Sequence, residues 1–142
     1  MKVLAVALAI LAVLICVVPQ FTDCQSQGRA LSLANGQQVP MKCHWTAGAE
    51  VGVGVTIFVL GAALFFSRRR ETRIALGILG MFLGTFAILL PTVLIGVCMS
   101  PEMLCNSLMK PTLILTGTLV VAISLAVLIT SAMQAEQTFA PA

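Results

Sequence analysis

The sequence predicts an all-α membrane protein, a four-transmembrane-helix bundle with two extracytoplasmic loops that carry cysteines. Two observations predict the bundle and a third its orientation. Of the 142 residues, 59% are hydrophobic and only 9% charged, whereas charged residues make up about 25% of an ordinary soluble domain. Four apolar stretches approach or exceed the roughly 20 residues that cross a bilayer as a helix. A compact arginine run separates the second stretch from the third. The whole chain, 1–142, reads as a single membrane domain.

The first helix is placed at about 3–21. Met1-Lys2 followed by an apolar core also opens a cleaved signal peptide, but the apolar run is long for one. Pro19-Gln20-Phe21-Thr22-Asp23 is also a poor cleavage neighbourhood, so a retained anchor is expected. The first outer loop, 22–46, is polar from Gln25 to Pro40 and holds Asn35-Gly36, a tight-turn pair. The second helix is placed at 47–66. Thr46 is expected as its N-cap and Glu50 in its first turn, opposing the positive end of the helix dipole. Trp45, just ahead of it, is expected at the headgroup level, which amphipathic rings favour. A short loop at 67–73 leads to the third helix, 74–97, where Pro91 removes a backbone donor and bends the helix unless neighbours compensate. The second outer loop spans 98–111. The fourth helix follows at 112–133, with Pro111 where a helix start tolerates it.

Orientation follows from the basic residues, which stay on the cytoplasmic side of the plasma membrane. Four of the eight Lys and Arg residues lie in Arg68, Arg69, Arg70 and Arg73, so that loop and both termini are expected in the cytoplasm. The net charge of +3 is then a topology signal rather than a footprint for nucleic acid, and the lipid bilayer is the first partner. Gly48 with Gly52, and Gly80 with Gly84, are spaced G-x-x-x-G and offer small faces for close helix approach. The third and fourth helices contain no internal ionisable residue, which disfavours a channel or pump.

The cysteines fall into a pattern. Cys24 and Cys43 lie in the first outer loop, Cys98 and Cys105 flank the second, and only Cys16 is inside a helix. On an oxidising side an even set of thiols forms disulfides, and these four allow three pairings, within the loops or between them. Segment 41–50 also places the only histidine and the only tryptophan beside Cys43. Met41, Cys43 and His44 in one loop, with Cys98, Met99, Met103, Cys105 and Met109 in the other, offer thioether, thiolate and imidazole ligands of the kind that suit Cu(I) or haem iron, with Met41, Cys43, His44, Met103 and Cys105 the foremost candidates. A membrane thiol–disulfide oxidoreductase is a further alternative. The chain broadly resembles the disulfide-generating quinone reductases of bacterial envelopes, although it lacks their Cys-x-x-Cys pair. No serine triad, carboxylate pair, phosphate-binding glycine loop or zinc spacing is present, so no enzymatic activity, catalytic residue or cofactor is expected.

A second resemblance is more specific. Met41-Lys42-Cys43-His44-Trp45-Thr46, then Ala49-Glu50-x-Gly52-x-Gly54, Ile95-Gly96-Val97-Cys98, Met103-x-Cys105 and Pro111 resemble an uncharacterised family of small prokaryotic membrane proteins, the domain of unknown function four-four-one-eight. The likeness covers about residues 24–130. It implies an accessory membrane subunit, because genes of that family often stand beside ABC transporters of the FtsX or MacB type. Other members tend to carry histidine around the second cysteine motif, where this chain has Leu104 and Asn106; that departure counts against a metal or haem role. The leading expectation is a non-catalytic partner of a larger membrane assembly such as an ABC transporter permease.

Overall fold

The structure, a computed structural model, describes residues 2–100 and 102–139, with residues 134–139 described by backbone alone. Four helices are long and apolar enough to cross a membrane: α1 at Lys2–Thr22, α2 at Lys42–Phe66, α3 at Arg70–Leu89 and α4 at Lys110–Phe139. A π turn, Leu90–Leu94, prolongs α3, and a second, Cys105–Met109, precedes α4. Between α1 and α2 lies a small antiparallel hairpin, β1 at Leu31–Ser32 and β2 at Gln38–Val39, with Leu31 opposite Val39. Asn35-Gly36 makes its turn as expected: Gly36 has φ of 80°, and Asn35 Oδ1 accepts from the Gln37 N–H at 3.1 Å.

Helices are the only open-ended elements that satisfy their own backbone in lipid. The outward faces are apolar too, with Val3, Ile10, Phe58, Phe82, Leu115 and Ile129 all exposed. Acyl chains are as apolar as these side chains, so hydrophobicity does not select which face turns inward, and close packing does. Thr56, Thr85 and Thr118 on the outer faces return their hydroxyls to the carbonyl four residues back, at 2.7–2.8 Å. The interior combines Leu8, Ile15, Ile57, Leu113, Val120 and Val127 with small residues such as Ala5, Ala12, Ala47 and Ala87.

α1 packs chiefly on α2, and α3 on α4, as two hairpins laid side by side. Glycines set the closest approaches. A Cβ on Gly84 would stand 3.0 Å from the Gly117 carbonyl oxygen, and one on Gly117 would stand 3.0 Å from that of Gly84. Gly80 opens onto Ser124, and Gly61 onto the Ala5 carbonyl. The Gly80/Gly84 pair is therefore used inside the bundle, whereas Gly48 and Gly52 are exposed with nothing within 4 Å of an added Cβ.

The expected boundaries shift: the third helix starts at Arg70 rather than 74, which shortens the loop before it to 67–69, and the fourth runs from Lys110 to Phe139 rather than over 112–133. The second helix begins at Lys42, not 47, and Met41 holds the N-cap position. Burial of the Cys43 side chain recruits this segment into the helix, so Thr46 and Glu50 lie in the second and third turns. Thr46 is thus not a cap: its hydroxyl donates to the Gly96 carbonyl at 2.8 Å and ties the second outer loop to α2. Glu50 has no dipole partner and is fully buried. The third helix stops before 97. Pro91 lacks the N–H that an α-helix would use, and the chain answers with the π turn rather than a simple bend. Ile95 and Gly96 both donate to the Leu90 carbonyl at 3.1 Å. Gly96 then takes φ of 79°, a left-handed conformation that a side chain would strain.

At the opposite end of the bundle, two arginines of the expected topology signal also close backbone ends. Arg70 Nε donates to the Ser131 carbonyl at 3.1 Å, and Arg73 donates through Nε and Nη2 to that of Ser67. Lys2 lies at this end, its ammonium 5.8 Å from the Phe65 ring.

Candidate metal centre

Four chain segments converge at the end of the bundle away from the arginines. Beyond α1 the chain turns sharply: the Asp23 side chain accepts from the Ser26 N–H at 2.8 Å, and Arg29 N–H donates to the Cys24 carbonyl at 2.9 Å. This turn points Cys24 inward. Cys43 lies in the first turn of α2, Cys98 just past the Gly96 stop, and Cys105 opens the second π turn. The widened turn keeps Cys105 and Met109 both fully buried.

All four Sγ atoms lie within 4.8 Å of one another. Cys24 is 3.5 Å from Cys105 and 3.7 Å from Cys98, and Cys43 is 3.7 Å from Cys98. A disulfide needs about 2.05 Å, and all five cysteines are free, so the expected disulfides do not appear. The spacing instead matches a different object. Four thiolates around one tetrahedral ion, each at about 2.3 Å, stand about 3.8 Å apart along each edge.

Two thioethers border the cluster, Met103 Sδ at 4.0 Å from Cys24 Sγ and Met41 Sδ at 3.9 Å from Cys98 Sγ. Cys24, Cys43 and Cys105 are buried and Cys98 is half-buried. Beside Cys98 an open recess of about 260 Å³ of mixed lining, with Pro91 and Val97 beside Thr92, Asn106 and Lys110, gives access from outside. Burial pushes the Cys24 thiol above its ordinary range, and the neighbouring thiols of Cys43, Cys105 and Cys98 push it further. An ion entering here must displace protons.

Of the candidates that the sequence offered for a metal, Cys43 and Cys105 are in the cluster and Met41 and Met103 at its edge. His44 is not. Its Nδ1 faces Asp23 Oδ2 at 3.1 Å, and its ring meets Trp45 edge-on at 6.1 Å between centroids. Cys98, offered both as a ligand and for a disulfide, and Cys24, offered only for a disulfide, complete the donor set. Met99 is 95% exposed. The signal for the full set was present: four cysteines, each at an end of a predicted helix, all on one side of the membrane. Trp45 is 63% exposed in the first turn of α2.

Glu50 was missed in another sense. It lies two turns beyond Cys43 on the same face of α2, both carboxyl oxygens buried and without a hydrogen-bond partner.

Among comparisons with known proteins, one family model matches, described as "Domain of unknown function (DUF4418)", over residues 3–130. No curated protein and no solved structure matches.

Proposed function

Starting from a chain that belongs to the DUF4418 family of unknown function, we propose that it is a membrane metal-binding protein whose centre holds one soft or borderline divalent cation on Cys24, Cys43, Cys98 and Cys105. The observation that carries this reading is the clustering of four thiols from four separate segments within 4.8 Å. All-sulfur tetrahedral sites suit Zn²⁺ and its thiophilic relatives. Haem is a poorer match, since the imidazole Nδ1 of His44 is engaged by Asp23. Each thiol gives up its proton to the solvent as the ion enters, and the partly exposed Cys98 is the side of exchange.

On this reading the centre faces the extracytoplasmic side and handles metal without catalysis. The accessory-subunit expectation rests now on Gly48 and Gly52, a small-residue pair left uncovered for a partner helix such as one of a transporter permease. One preparation tests both readings: the full chain purified in mild detergent under reducing conditions, with metal content measured by mass spectrometry and co-purifying proteins identified. One equivalent of bound ion is expected. C43S and C105S should weaken binding by at least about 100-fold, the upper end of what even an outer-shell partner contributes. A reduced protein that takes up no Zn²⁺, Cd²⁺ or Co²⁺ would overturn the metal reading, and recovery without any permease would overturn the accessory one.

A further inference from the structure

We infer that Glu50 and Cys16 form a second, inner site for a divalent cation, embedded in the membrane-spanning part of the bundle beneath the sulfur centre. The inference rests on the centre being a metal site, since ions would reach the inner pair from it. Glu50 is seven residues from Cys43, two helical turns or about 10 Å along the same face of α2. It is 0% exposed and neither carboxyl oxygen has a hydrogen-bond partner. A buried carboxyl left in this state costs several kcal/mol if ionised and unpaired, and an ionisable group inside a membrane span marks function more often than packing.

The second observation comes from α1. Cys16 Sγ sits 3.7 Å from the Val51 carbonyl oxygen, next along the chain from Glu50. Space for the sulfur is provided by Gly54, one turn beyond Glu50: any Cβ there would collide with Cys16 Sγ. The thiol of Cys16 thus packs on the stretch of α2 that carries the buried Glu50 carboxyl one turn before Gly54, in a low-dielectric interior. Charge selects the ligand. A divalent ion that replaces the thiol proton and the carboxyl proton, releasing two H⁺, leaves a neutral thiolate–carboxylate complex. A monovalent ion would leave a net buried negative charge if it displaced both protons. Four thiolates around a divalent ion carry a net charge of −2, so the neutral inner site is the one suited to the membrane interior. The class of ligand is a borderline divalent cation that accepts sulfur and oxygen together, such as Zn²⁺, Co²⁺ or Cd²⁺.

Cobalt is the probe that separates this inference from the reading it rests on, used with the full chain reconstituted in lipid nanodiscs under reducing conditions. The first equivalent of Co²⁺ should give the intense visible bands of a tetrahedral all-sulfur site. A second equivalent should bind with weaker bands and a weaker sulfur-to-metal charge-transfer absorption, releasing two protons. E50Q, which keeps the side-chain volume, and C16S should each lose the second equivalent and leave the first equivalent's bands unchanged. Wild-type protein that stops at one equivalent overturns the inner site and leaves the outer centre standing. Two equivalents retained in both E50Q and C16S overturn it equally. No all-sulfur bands at all removes the centre, and the inner site with it.

Discussion

Asp23 and His44 illustrate what single side chains do here beyond supplying ligands. Burial works to raise the Asp23 carboxyl, but hydrogen bonds from His44 and Ser26 outweigh it and hold the group below its ordinary 3.8. A carboxyl lowered in this way stabilises the fold fully above its unfolded value, and the contribution disappears as pH falls through the folded value. The loop carrying β1 and β2 should therefore stay equally protected from proteolysis down to pH 3.8 as far as Asp23 governs it, and open only below that. D23N should open it at neutral pH. With His44 43% exposed on its side chain, the loss is about 1 kcal/mol: the roughly 1.5–3 kcal/mol usual for a hydrogen bond to a charged group, reduced by solvent screening. The sequence placed His44 among metal ligands because imidazole beside a thiol is a common ligand pair. It gave no sign of Asp23 as a competitor, since the two are 21 positions apart and meet only once α1 and α2 are packed.

At the level of helices, the number, order and approximate spans were legible because length and hydropathy alone decide what crosses a bilayer. The inward faces were not. In lipid both faces are apolar, so the periodicity that marks a soluble helix is weak, and two identical G-x-x-x-G motifs looked equivalent. Their fates differ: Gly84 abuts the Gly117 backbone, while Gly52 is exposed with nothing within 4 Å of an added Cβ. Gly84→Ala should weaken the α3–α4 hairpin by about 1–3 kcal/mol, the usual cost of overpacking, whereas Gly52→Ala should be neutral or slightly stabilising. Denaturation in detergent, followed by circular dichroism, distinguishes the two. The same absence of face information hid the start of α2, because Lys42 to Trp45 look like loop until Cys43 is known to be buried. Pro91 was read correctly as a disturbance, but only the packed structure shows the π turn that absorbs it.

Across the whole molecule, the sulfur centre is where the two hairpins are joined: Cys24 and Cys43 come from one, Cys98 and Cys105 from the other. Below them α1 touches α4 and α2 touches α3 far less than each helix touches its hairpin mate, and the buried Glu50 carboxyl has no hydrogen-bond partner. Removing metal should accordingly affect the relation between hairpins more than the hairpins themselves. Chelation is expected to leave helix content unchanged while lowering the thermal midpoint and exposing the 98–104 segment to protease; an unchanged midpoint would show that the ion does not clasp the bundle. The sequence made the sidedness of the four cysteines legible, but not their convergence on one point, which depends on how two hairpins of similar length dock.

That convergence also has a symmetry. Each hairpin runs helix, cysteine, loop, cysteine, helix, and contributes half the thiols from matching ends of its helices, although one loop carries a β-hairpin and the other two π turns. An ion held by all four would sit close to a quasi-twofold axis along the membrane normal. Neither hairpin alone could offer a complete coordination sphere, whereas two copies of a single hairpin could. The covalent link through residues 67–69 thus turns what two separate hairpins would achieve only by associating into a unimolecular event, and leaves the halves free to differ: Glu50 and Cys16 both lie in the first.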